Sequence, residues 1–195
     1  MPGFILPILT YLMHLSTQPN WTQEHFLTGF AFDEMGVKYY ADFDQKLQRL
    51  LGPHKNVLVV KIRGLVKEWS FPLFTAFDFL MDQKTFLDII TRLYQINFVV
   101  HYTVCDMSTK NTALISKKNF DISPRKPYLI HPENENLNVY FSFDIIHCLK
   151  NLTNHVRDDY FKIQDGTIFD VSDFQAVIDK RGLQEISIGY YLSHY

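Results

Sequence analysis

The sequence predicts an α/β fold: a mixed sheet, three antiparallel strands followed by βα units, with flanking helices. Three observations carry this. Aromatic residues are 15% of the 195 residues, led by 17 Phe and 11 Tyr, which suits a flat, β-rich interior. Two runs dense in β-branched and aromatic residues, Val57 to Leu65 and Phe98 to Cys105, read as buried strands. Between them Phe86, Ile89, Ile90, Leu93 and Ile96 recur at helical spacing.

Each element follows in order. Met1 to Leu15 is apolar but has no leading Lys or Arg and carries Pro2 and Pro7, so it reads as a helix packed on the domain, not a signal. It is also too short to span a bilayer. Leu27 to Asp33 is a buried strand that stops at Glu34-Met35-Gly36. Val37 to Asp42 is a second strand, Val57 to Leu65 a third, and Leu73 to Phe77 extends the antiparallel set. Gln83 to Gln95 is an amphipathic helix closed by Asn97. Phe98 to Cys105 is a strand ending at Asp106, and Ser108 or Thr109 caps a helix over Asn111 to Lys118. Pro124, Pro127 and Pro132 make Ile122 to Asn138 an irregular loop. Val139 to Phe143 is a short strand, and Ile145, Ile146, Leu149, Leu152 and Val156 give a helix. After Gly166, Val171 to Lys180 is a short helix.

Composition narrows the function classes. Hydrophobic residues are 47% and charged residues 21%, a globular balance. The formal charge of −2 argues against a freestanding polyanion binder, though not against a catalytic core whose DNA grip lies elsewhere. Cys105 and Cys148 are the 2 cysteines, without a CxxC pair, which excludes a disulfide scaffold and a Cys-rich zinc site. The sequons at Asn20 and Asn151 read as chance matches. No P-loop or GxGxxG occurs.

Acids sit at strand ends: Asp33 after the first, Asp106 after the fourth, Asp144 after the fifth. In open α/β sheets ligands bind outside the carboxyl ends of strands. With the first and fourth strands as parallel neighbours, Asp33 and Asp106 would lie about 5 Å apart, one strand spacing. Carboxylates that close repel unless one is protonated or a cation lies between them. Mg²⁺ suits such oxygens, and two ions about 4 Å apart clamp a phosphodiester displacement. The bland alternative is that each Asp is a turn or cap residue.

Four segments then carry a resemblance. They are FDEM (Phe32 to Met35), VKIRGLVKEWSFPLF (Val60 to Phe74), VCDMSTKN (Val104 to Asn111) and FDIIHCLKNLTNH (Phe143 to His155). In this order they resemble blocks of the RNase H-like domain of P-element-type DNA transposases, including the THAP-domain transposases. The second is similar to the family's "RGL…W..P" block, the third to "SD.G..N", the fourth to "D.PHLLKN.RN". Met107-Ser108 and Ile145-Ile146 depart from the Gly and Pro found there.

The resemblance implies an RNase H-like domain over residues 27–160, preceded by a helical segment over 1–26 and followed by the start of an inserted helical domain over 161–195. It implies Mg²⁺-dependent (or Mn²⁺-dependent) DNA cleavage and strand transfer, with Asp33 and Asp106 as catalytic, metal-binding carboxylates. The family's third acid is a Glu on a helix downstream of an insertion implicated in GTP binding. Glu185 is the only Glu in 163–195 and is a poor match for it. The chain alone is therefore expected to be inactive, with the GTP site largely outside it. The THAP zinc-finger ligands are not present in these residues. Partners implied are DNA, as transposon ends and target, and further copies of the chain; the implied location is the nucleus, with no membrane.

Lys61 and Arg63 share a strand face and, with Lys67, are candidate phosphate contacts. His147, Lys150 and Asn151 share a helix face and are candidates too, against the reading of a solvated face. Lys117, Lys118, Arg125 and Lys126 form the most basic local patch. Glu34 reads as a turn or supporting residue, on the face opposite Asp33. Two rival functions stand beside the transposase core: a domesticated, non-catalytic DNA- or protein-binding relic, and an RNase H-like nuclease that works alone.

Overall fold

The computed structural model describes residues 3–176 apart from 39–40, 45–48, 117, 159, 171 and 174–175. In chain order the elements are β1 (Gly3–Phe4), α1 (Leu6–Ser16), β2 (Leu27–Gly36), β3 (Asp42–Asp44), β4 (Arg49–Leu51), β5 (Asn56–Gly64), β6 (Ser70–Phe77) and α2 (Gln83–Gln95). There follow β7 (Val99–Cys105), α3 (Thr109–Ile115), β8 (Tyr128–His131), β9 (Asn134–Phe143), α4 (Ile145–Asp158), β10 (Phe161–Lys162) and β11 (Ile168–Phe169). They fall into two compact units, Met1–Phe143 and Asp144–Tyr195.

The first unit is built on a seven-stranded sheet in the order β1-β6-β5-β2-β7-β9-β8. β2 is its pivot, antiparallel to β5 and parallel to β7. β7 and β9 are parallel, and β8 returns antiparallel at the edge. This is the mixed sheet that the order of strands and helices predicts.

Strand alternation decides what is buried. Phe30 and Phe32 of β2 and Leu58, Val60 and Ile62 of β5 are buried on one face. Leu12 of α1 and Phe86, Ile89, Ile90 and Leu93 of α2 join them in one core. Phe86 meets Phe30 edge-on, with ring centroids 5.1 Å apart. Each such fully buried side chain contributes about 1.5–3 kcal/mol of transfer free energy. Asp82 caps α2 by accepting from the Thr85 N–H at 2.7 Å, and Asn97, at φ 70°, turns the chain out of the helix into β7.

Four expectations change. The strand expected at Val37 to Asp42 is not in the main sheet: β2 runs on to Gly36, β3 pairs with β4 in a separate hairpin, and residues 39–40 lie outside the described residues. The antiparallel trio is β2, β5 and β6, because the backbone of β5 pairs with β2 along one edge and with β6 along the other. The proline-containing stretch from Ile122 is not all loop. Pro127 precedes β8 and Pro132 lies between β8 and β9, so no ladder donor is lost, and β8 is an edge strand. α3 starts at Thr109, two residues early, with Ser108 as its cap.

In the second unit Asp144 caps α4, its Oδ1 accepting from the Ile146 N–H at 2.8 Å. α4 exposes Ile145, Ile146, Leu149 and Leu152. β10 and β11 pair antiparallel around Gly166 at φ 92°. The helix expected over Val171 to Lys180 lies largely outside the described residues, as does Glu185. No helix among the described residues is long and apolar enough to cross a membrane.

Candidate metal and nucleic-acid site

The parallel ladder between β2 and β7 ends with Phe32 opposite Cys105. Both side chains are buried in the core. The next residue on each segment is an acid, Asp33 and Asp106. Neighbouring strands are about 4.8 Å apart, and Asp33 and Asp106 follow directly where the parallel ladder ends, on adjacent segments; β7 stops there, while β2 runs on to Gly36 beside β5. Asp33 is exposed and Asp106 half-buried. Cys105 senses both. Burial, then the charge of Asp106, then that of Asp33, push its thiol up to about 12.

Asp106 is held by the turn that follows it. Its Oδ1 accepts the Ser108 N–H at 3.2 Å and the Asn111 side-chain amide at 2.6 Å. Asn111 is itself buried, and its backbone N–H donates to Ser108 Oγ at 3.3 Å. Asp33 Oδ1 accepts the Glu34 N–H at 2.8 Å. Glu34 turns to the core side of β2, as alternation predicts, and pairs with Lys110 of α3 at 3.0 Å. Sequence reading missed both Asn111 and the Glu34–Lys110 pair. The signal was an Asn five residues after a strand-end Asp, one turn into a capped helix.

The donor set is hard oxygen, which fits Mg²⁺ or Mn²⁺ better than a softer metal. Among the described residues no group of three His, Cys, Asp or Glu side chains is placed to hold a metal. Asp33 and Asp106 are thus two candidate carboxylates without a third His, Cys, Asp or Glu placed beside them among the described residues.

Lys61 and Arg63 are exposed on the face of β5 that Asp33 shares, paired in register with Ala31 and Gly29. They line a cleft of about 590 Å³ with Glu68, Trp69 and Tyr102. The Tyr102 ring packs against Gly29, where a Cβ would stand 2.5 Å from it. Lys67 instead caps the Trp21 ring at 4.6 Å. In the basic patch Lys126 pairs with Asp121 at 3.6 Å, Lys118 and Arg125 are exposed, and Lys117 lies outside the described residues. His147 is half-buried and Lys150 exposed on α4, in the second unit.

No family model matches the chain. Over 128 residues, 66% of the chain, it is 31% identical to the Transposable element P transposase of Drosophila melanogaster. The chain is a homologue of P element transposase. Its fold agrees: it superposes on a chain of the solved Drosophila P element transposase strand transfer complex with a TM-score of 0.76 at 26% identity, over 91% of its length. The sheet therefore matches the RNase H-like sheet of that transposase structure. The chain spans 17% of the curated P transposase and 39% of the solved chain.

Proposed function

We propose that these residues form the metal-binding core of a P-element-like DNA transposase that cuts DNA and transfers strands. The observation that supports this is the β2–β7 register: the parallel ladder ends at Phe32 and Cys105, and the next residue on each segment is an acid, Asp33 and Asp106. Asp33 and Asp106 are the metal-binding, catalytic carboxylates. Asp33 and Asp106 would hold a divalent ion, Mg²⁺ or Mn²⁺, which would supply Lewis-acid stabilisation of the phosphoryl oxygens. Their mutual repulsion would be relieved by that cation. Lys61, Arg63, His147 and Lys150 contact DNA phosphates, which position the substrate without reading its sequence.

In this reading residues 27–160 are the RNase H-like domain and 161–195 begin an inserted domain; the protein acts in the nucleus on transposon ends and target DNA. GTP binding is not assigned to these residues.

The test is Mg²⁺-dependent cleavage and joining of labelled duplex DNA by the polypeptide expressed from the whole reading frame. Asp33→Ala and Asp106→Ala should each abolish both steps while leaving the fold intact. Undiminished cleavage by either variant overturns the assignment. A second reading rests on the carboxylate pair being unaccompanied among the described residues. On that reading the chain is a domesticated relic that keeps the fold and binds DNA or protein, and the wild-type polypeptide binds duplex DNA without cutting it.

A further inference from the structure

We propose that Asn111 is a positioning residue for the metal site: its side-chain amide locks Asp106 so that one carboxylate oxygen is kept for the cation. The inference rests on the reading that Asp33 and Asp106 hold a divalent ion.

Asn111 is 5% exposed, and a buried amide is costly unless it is bonded. Its Nδ2 donates to Asp106 Oδ1 at 2.6 Å, a short, charge-assisted contact. The Ser108 N–H donates to the same oxygen at 3.2 Å. Among the described residues Asp106 Oδ2 accepts no hydrogen bond. Two donors therefore converge on one oxygen and leave the other as a ligand. The arrangement is built by the chain itself. Ser108 caps α3, the cap fixes the first turn, and that turn carries Asn111 back over the end of β7. A free carboxylate would sample several rotamers; this one is oriented before metal arrives. Groups that orient a ligating side chain typically contribute about 10- to 100-fold to metal affinity.

The probe is Mn²⁺ alone, titrated into the purified polypeptide expressed from the whole reading frame and followed by the EPR signal of the free ion. The wild type should bind and Asp106→Ala should not. Asn111→Ala should bind about 10- to 100-fold more weakly. Asn119→Ala removes only the Asn119 side-chain bond to the Ala113 carbonyl near the end of α3, at 2.9 Å. It loosens that helix without touching Asp106, so its Mn²⁺ affinity should equal the wild type's. In the wild type, the Asn111 side-chain amide resonance should be the first Asn amide broadened by Mn²⁺. Asn111→Ala binding as tightly as wild type overturns the inference and spares the metal reading. If Asn111→Ala does not fold, the wild-type resonance decides: broadened it stands, sharp at saturating Mn²⁺ it falls. A wild type that binds no Mn²⁺, or an Asp106→Ala variant that binds as well, removes the metal reading itself.

Discussion

Glu34 and Lys110 form an ion pair at 3.0 Å that joins the two segments carrying the acids. Glu34 follows Asp33 on β2, and Lys110 lies four residues beyond Asp106, in α3. Lys110 is about half exposed, so solvent screens the pair. A double-mutant cycle with Glu34→Gln and Lys110→Met should give a coupling below about 1 kcal/mol, shrinking with added salt. Urea unfolding at low and high salt measures it; a large, salt-independent coupling would contradict the exposed geometry.

Gly64 ends β5, where a Cβ would run into the Lys67 carbonyl and the Trp69 indole. Gly64→Ala should therefore destabilise by about 1–3 kcal/mol, the usual range for overpacking. Thermal unfolding with Trp fluorescence reads both the loss and any displacement of Trp69. Gly36, where a Cβ would meet nothing within 4 Å, is the control position.

His131 makes stability depend on pH. It is buried, its Nδ1 accepts the Glu133 N–H at 3.1 Å, and burial lowers its pKa from 6.5 against an opposing pull from Glu133. The unfolded chain thus binds the proton more readily than the folded one. Stability is full above about pH 6.5 and falls as pH drops below it. Urea midpoints should decline from about pH 7.5 to about pH 5.5, and His131→Gln should flatten that decline.

The two thiols should differ in reactivity. Cys105 is buried with its thiol pushed up to about 12, whereas Cys148 is half-buried. The thiolate is the nucleophile, so Cys105 should resist a disulfide reagent at neutral pH until the protein unfolds. One thiol should label in the native chain, and Cys148→Ser should abolish that labelling. Rapid labelling of Cys105 would mean that β7 is not packed as described.

How much was legible in the sequence varies with the physics of each part. α2 was readable to its ends, because one apolar stripe at helical period meets a capping Asp82 and a terminating Asn97. The strands carrying Asp33 and Asp106 were readable because their buried side chains are β-branched or aromatic. β8 and the first half of β9 were not: they form the sheet's edge, where polar residues and flanking prolines are tolerated. The hairpin of β3 and β4 is too short to leave a periodic signal. Asp33 and Asp106 could be singled out as candidates from the strand pattern, but Asn111 could not. Its role depends on a helix turn carrying it back onto Asp106, which is a three-dimensional relation.

If Asp33 and Asp106 share a divalent cation, a crystal soaked in Mn²⁺ should reveal it. An anomalous peak should lie in direct contact with a carboxylate oxygen of each, about 2.0–2.2 Å away. Carboxylates more than about 10 Å apart could not share ions spaced as in a two-metal site; that separation, or a peak confined to other residues, would contradict it.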